Sequence, residues 1–209
     1  MLEVFKYSAL PILAYLVGSI PFGLVLAKVF SGKDIRTSGS GNIGATNVLR
    51  TTGVKLGVMT LALDALKGAL PVYLAICLLN NHAHWGNAYP FFVGLCAFLG
   101  HLYPLYFRLQ GGGKGVATAW GCFLILSPVS ALTASLVFGL MILVSKRVSV
   151  ASLAGAVTLP FALWFGTHVI GATAFAAVIA VLIAHRHRQN IVRLLQGTEP
   201  AIWGNKQTD

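Results

Sequence analysis

Between residues 5 and 186 the chain is a succession of apolar runs broken by short polar segments, and that pattern leaves little choice of fold. A bilayer-spanning helix needs about 20 mostly apolar residues, because the hydrocarbon core is about 30 Å thick. Runs of this kind lie near 5–29, 53–79, 88–107, 116–127, 129–145, 148–165 and 169–186. The stretch 116–145 is long for one helix and short for two. Ser127-Pro128 divides it, since proline lacks the amide proton and clashes with the preceding turn. Only 10% of the residues are charged, where a soluble domain has about 25%. The expectation is an all-α integral membrane protein with seven transmembrane helices, forming a single membrane-embedded domain over residues 1–209. No basic segment with a small-residue cleavage site precedes the first run, so 5–29 is read as a retained span and not a signal peptide.

Basic residues orient the spans. On one side fall Lys28, Lys33, Arg36, Arg50, Lys55, Arg108, Lys114, Lys146, Arg147, Arg186, Arg188, Arg193 and Lys206, 13 of the 15 lysines and arginines. The opposite loops, near 80–87, 127–128 and 166–168, hold none. The N-terminus is therefore expected outside and the C-terminus in the cytoplasm. Reading 116–145 as one span would scatter the later cations across both sides. Residues 187–209 are expected to form a short cytoplasmic tail, beginning as an interfacial helix through Ile191, Leu194 and Leu195.

The net charge of +10 does not point to nucleic acid, which needs a soluble basic face. The cations sit at the ends of apolar runs, so their partners are membrane lipids or phosphorylated substrates. Cys77, Cys96 and Cys122 all lie inside apolar runs and suit helix packing better than a disulfide or a metal site. No histidine has the company of a zinc ligand set; His82 and His84 fall in the opposite loop. Nothing calls for a metal or an organic cofactor.

Three polar, glycine-bearing segments fall on the expected cytoplasmic side. The first, 38–50, carries Ser40, Gly41, Asn42, Thr46, Asn47 and Arg50. Its residues 39–44 match the dinucleotide fingerprint literally, but that motif needs a preceding strand, and here a transmembrane run precedes it. What survives is physical. Glycines admit close approach of backbone N–H groups to an anion, hydroxyls and amides add neutral donors, and Arg50 can grip a phosphate with two bonds. A plain turn would need only one or two such residues. The second segment, 111–115, is Gly-Gly-Gly-Lys-Gly, with Gly113 and Lys114. It lacks the hydroxyl residue and the strand of a nucleotide-binding loop. As a glycine-rich helix start it still suits an anion, where a mere membrane anchor would explain the lysine but not its glycines. The third, 187–190, places His187 and Asn190 three apart, on one face of a helix. Asp64 and Lys67, three apart inside the second span, are expected to form a structural ion pair or to support the first segment. Glycines, hydroxyls, amides and cations with few carboxylates suggest an enzyme acting on anionic substrates at the membrane surface.

In order and spacing these segments resemble the bacterial acyl-phosphate:glycerol-3-phosphate acyltransferase (PlsY) family, nearly end to end. The resemblance also takes in residues 18–23 (Gly-Ser-Ile-Pro-Phe-Gly), 100–104 (Gly-His-Leu-Tyr-Pro) and 147–152 (Arg-Val-Ser-Val-Ala-Ser). It implies a multi-pass enzyme of the bacterial plasma (inner) membrane with a cytoplasmic active site. Such an enzyme moves a fatty acyl group from acyl phosphate to the 1-hydroxyl of glycerol 3-phosphate, giving lysophosphatidic acid and phosphate. Ser40 and Arg50 match its first motif, Lys114 its second, and His187 and Asn190 its third. Ser149 or Ser152 lies in a further segment, Ser152 being favoured.

Both expected substrates carry phosphate, which fits a cationic site facing the cytoplasm. No His-x4-Asp pair occurs, so the machinery of acyl-CoA-dependent glycerolipid acyltransferases is missing. A Ser-His-Asp triad has too few carboxylates to draw on, only Asp34, Glu199 and Asp209 falling on that face. The expected mechanism is direct attack by the glycerol hydroxyl. Ser40, Lys114 and backbone N–H groups would stabilise the oxyanion and the departing phosphate. Arg50, His187 and Asn190 would position glycerol 3-phosphate. The base is His187 or, as the resemblance implies, the substrate's own phosphate. A small anion transporter is the competing class. Against it, the glycine-rich segments sit at one face and no inverted repeat is visible. Oligomeric state is left open, and a monomer is compatible with the sequence.

Overall fold

The computed structural model describes residues 2–78 and 88–202; the loop carrying His82 and His84, and Lys206 and Asp209, lie outside the described residues. All regular structure among them is helical: α1 (Leu2–Gly18), α2 (Phe22–Ser31), α3 (Ala45–Thr52), α4 (Val54–Leu78), α5 (Tyr89–Leu102), a 3-10 turn (Leu105–Phe107), α6 (Val116–Leu126), α7 (Pro128–Ser145), α8 (Val148–Thr167), α9 (Ile170–Arg186) and α10 (Arg188–Leu195). The chain divides into two compact units, Met1–Pro128 and Val129–Asp209.

Among the described residues four stretches are long and apolar enough to cross a bilayer: Val54–Leu78, Tyr89–Phe107, Pro128–Ser145 and Val148–Thr167. Two bent pairs, Tyr7–Gly18 with Phe22–Ser31 and Ile170–Arg186 with Arg188–Leu195, raise the number to six if each is one span. The expected span 116–127 is an 11-residue helix. At 1.5 Å per residue it rises about 16 Å, half a hydrocarbon core. The expected span 5–29 is not one helix. It bends by 42° at Ser19–Pro21, where Pro21 offers no amide proton and the Ser19 hydroxyl donates back to Tyr15 O at 2.8 Å. The division of 116–145 falls where Pro128 put it.

In the first unit, α4 is the central helix, packing on α6, α5, α3, α1 and α2. Without a hydrophobic drive between helices in lipid, close packing depends on small residues. The α4–α6 crossing is reciprocal: a Cβ on Gly68 would overlap Thr118 O, and one on Gly121 would overlap Ala65 O. The α1–α5 crossing works the same way, Gly18 on Ala97 and Gly100 on Tyr15. A hydrophobic cluster of Leu24, Leu26, Ala27, Ile35, Ile43, Val48 and Leu56 ties α2, α3 and α4 together, with Phe107 packed against it.

In the second unit, α8 packs along α9, and Gly155 of α8 faces Ala134 and Phe138 of α7. The outward face of α7 is apolar, with Val129, Leu132, Leu136, Leu140, Leu143 and Val144 all exposed, as a lipid-facing helix requires. After α10 the chain returns to the α7–α8 junction, where Ile202 N donates to Lys146 O at 2.7 Å.

Candidate active site

In the first unit, the segment 38–44 is built around one side chain. Asn47, in the first turn of α3, is buried. Its amide nitrogen donates to Ile35 O (3.0 Å), Ser38 O (3.1 Å) and Asn42 O (2.9 Å). Its oxygen accepts from Ser40 N at 2.9 Å. Asn42 closes a smaller turn by accepting from Gly44 N at 2.9 Å. The chain must pass close over this amide, and Gly39 allows it: its φ is +60°, and a Cβ there would overlap the Asn47 oxygen. Ser40 and Gly41 are thereby left exposed on the outer side of the loop. Thr46 is half-buried, and Arg50 stands exposed on the last turn of α3.

The second segment is seated on α5. Gly113 N donates to His101 O at 3.1 Å. A Cβ on Gly112 would overlap Leu102 O, and one on Gly115 the Phe98 ring. Gly115, at φ +82°, turns the chain into α6. Gly112 and Gly113 are buried and Lys114 is half-buried, so the lysine is presented from a fixed backbone. Phe107, seven residues before Lys114, packs on the Ile35–Ile43–Val48 cluster and lies 5.6 Å from the Arg36 guanidinium. Both segments are thus anchored to one region of the first unit.

In the second unit, His187 lies at the junction of α9 and α10 and is 2% exposed. Its Nδ1 is 2.8 Å from Ile183 O. A carbonyl only accepts, so Nδ1 carries the proton, which leaves Nε2 as the ring nitrogen through which a proton could be exchanged. Asn190 is buried and donates to Glu199 Oε1 at 2.6 Å. Arg193 Nε donates to Glu199 Oε2 at 2.8 Å, and Arg147 Nε to Glu199 O at 3.1 Å. Burial alone would raise the Glu199 pKa, but contacts with Asn190, Ser149 and Arg193 outweigh it and hold the carboxyl below its usual value. Ser149 and Ser152 are both buried on α8. His185 is exposed.

The expected residues thus fall into two clusters. Ser40, Gly41, Asn42, Thr46, Asn47, Arg50, Gly113 and Lys114 belong to the first unit, and Ser152, His187 and Asn190 to the second. Glu199 was visible in the sequence only as a scarce carboxylate. The signal that could have found it is charge balance, since five acidic residues face 15 basic ones and each acid has partners to choose from. His101 was quoted only as part of a motif. Among the described residues no group of three or more His, Cys, Asp or Glu side chains is placed to hold a metal ion.

Residues 8–197 match the glycerol-3-phosphate acyltransferase family. The glycerol-3-phosphate acyltransferase of Syntrophotalea carbinolica is 48% identical over 186 residues, 89% of this chain and 92% of the relative. That of Myxococcus xanthus is 48% identical over 192 residues, 92% of this chain and 97% of the relative. The crystal structure of PlsY, an integral membrane glycerol 3-phosphate acyltransferase, in its glycerol 3-phosphate form superposes with a TM-score of 0.88 at 42% identity, covering 95% of this chain and 96% of the other. Its lysophosphatidic acid form gives 0.85 at 40% identity, covering 94% and 95%. Apolar helices and these likenesses define an integral membrane acyltransferase. The chain belongs to the glycerol-3-phosphate acyltransferase family, of the PlsY type.

Proposed function

We propose that the chain, acting as one catalytic domain, transfers a fatty acyl group from acyl phosphate to the sn-1 hydroxyl of glycerol 3-phosphate. The products are lysophosphatidic acid and phosphate, and the step is the first acylation of bacterial phospholipid synthesis. Counting each bent pair as one crossing and the short α6 as the seventh, the enzyme crosses the bacterial plasma membrane seven times, with its N-terminus outside and its chemistry on the cytoplasmic face. The observation that carries the reading is Lys114, half-buried behind three glycines, two of them buried against α5. Such a cation, presented from a glycine-rich helix start seated on α5, is suited to a phosphate that arrives and leaves. PlsY has solved forms with glycerol 3-phosphate and with lysophosphatidic acid, which supports the same acceptor and product here.

An acyl phosphate is a mixed anhydride with a good leaving group. The glycerol hydroxyl oxygen attacks the acyl carbon, and the carbon–oxygen bond to phosphate breaks. Lys114, Ser40 and backbone N–H groups stabilise the oxyanion and the leaving phosphate. Gly41, Asn42, Thr46 and Asn47 shape or line the first anion segment. Arg50, His187 and Asn190 position glycerol 3-phosphate, and Ser152 adds a hydroxyl. The proton goes to His187 Nε2 or to the substrate's phosphate. His187→Gln separates the two: near-normal turnover at saturating substrate excludes the imidazole, and loss of turnover with KM unchanged supports it.

The donor is tested by giving purified protein glycerol 3-phosphate with either palmitoyl phosphate or palmitoyl-CoA. Lysophosphatidic acid acylated at sn-1, from the phosphate donor alone, is expected. Product from the thioester donor would overturn the donor assignment.

A further inference from the structure

A buried polar chain runs through the first unit, outside the groups assigned to acyl transfer. Asp64 and Lys67 of α4 are each 3% exposed, with Lys67 Nζ 2.7 Å from Asp64 Oδ1. Lys67 Nζ also donates to Ile20 O at 2.9 Å, in the break between α1 and α2. The same Asp64 oxygen lies 3.8 Å from Nδ1 of His101, which is equally buried in the last turn of α5. On the other side of the imidazole stands Gly113. A Cβ on that glycine would overlap Nε2, and its amide donates to the His101 carbonyl. His101 therefore touches the loop through both backbone and ring, one residue before Lys114.

A buried ion pair within a span is expensive and gives little net stability. What it supplies is position. Lys67 is fixed by the α1–α2 break, Asp64 by Lys67, and the imidazole has Asp64 on one edge and the Gly113 backbone against the other. We propose that His101 is a positioning residue, transmitting the place of the Asp64–Lys67 pair to the Gly112–Gly115 loop and so setting where Lys114 meets substrate phosphate. This rests on the reading of Lys114 as a phosphate ligand.

The test is a double-mutant cycle on kcat/KM for palmitoyl phosphate, run with the full-length protein and enough enzyme to follow Lys114→Ala. His101→Ala should cost more than about tenfold in the wild-type background but less than about threefold beside Lys114→Ala, because a loop without its lysine has nothing to position. A merely structural role gives the same factor in both backgrounds and would overturn the proposal. Gly113→Ala provides a second route, needing no truncation of a buried ring. It should lose activity by pushing on the imidazole, and add little further loss once His101→Ala has removed the collision. Equal losses from Gly113→Ala with and without the ring would also overturn it. If Lys114→Ala leaves kcat/KM unchanged, the phosphate role of Lys114 fails and the proposal with it. A full Lys114 effect without coupling to His101 removes the positioning role alone.

Discussion

Glu199 shows how one side chain can hold a segment that the hydrophobic effect cannot. Its two carboxylate oxygens take Asn190 and Arg193, and its backbone carbonyl takes Arg147. Glu199→Ala leaves a buried amide without its acceptor, at a cost of about 1–3 kcal/mol, read as a lower Tm in detergent. The pH dependence has a definite sign. The folded carboxyl titrates below its ordinary 4.5, so its stabilising contribution is complete above that value and is lost as pH falls through the folded pKa. Tm should drop below about pH 4.5, and Glu199→Gln should flatten that drop. Asn47 has a comparable role in the first unit. Asn47→Asp keeps the acceptor for Ser40 N but sets an oxygen against three carbonyls. It should lower both Tm and activity, whereas Ser40→Ala, altering an exposed side chain, should lower activity with Tm nearly unchanged.

At the scale of elements, glycine decides how close helices come. Gly68→Ala drives a methyl into the Thr118 carbonyl of α6, and Gly121→Ala does the same to Ala65 of α4. Because backbone cannot rotate away as a side chain can, each should cost about 1–3 kcal/mol, measured by thermal unfolding in detergent. Much of this layer was legible in the sequence. The end of α6 at Ser127 follows from Pro128, and α10 follows from Ile191, Leu194 and Leu195 beside polar residues. Two features were not. The α1–α2 break has apolar residues on both sides, so hydropathy runs straight through it. And α3 carries threonines, an asparagine and an arginine in eight residues, and its apolar stripe of Ala45, Val48 and Leu49 is one turn long, too short to announce a helix inside a polar, glycine-rich segment. Its stability comes from tertiary packing of Val48 and from the Asn47 hydrogen bonds, neither of which has a sequence period. The members of the candidate site could be nominated from the sequence because phosphate chemistry needs recognisable residue types. Their surroundings could not be: Arg147 meets Glu199, and His101 meets Asp64, across long stretches of chain, and Asn190 and Arg193 reach Glu199 only because the chain folds back after α10.

For the whole molecule, cation placement makes a topological prediction. In a cysteine-free background, Thr37→Cys, Gln110→Cys and Gln196→Cys should react with an impermeant thiol reagent only in inverted vesicles, and His168→Cys only in right-side-out vesicles. All four positions are exposed. Thr37 and Gln196 reacting from opposite sides would refute the seven-span arrangement. Acyl transfer from acyl phosphate by direct attack is tested by phosphate release from palmitoyl phosphate by the purified protein, with and without glycerol 3-phosphate, following lysophosphatidic acid alongside. Release is expected only with the acceptor, one phosphate for each lipid formed. A stoichiometric burst of phosphate without acceptor would contradict direct attack, and no release from demonstrably folded protein under either condition would contradict the acyl-phosphate reading itself.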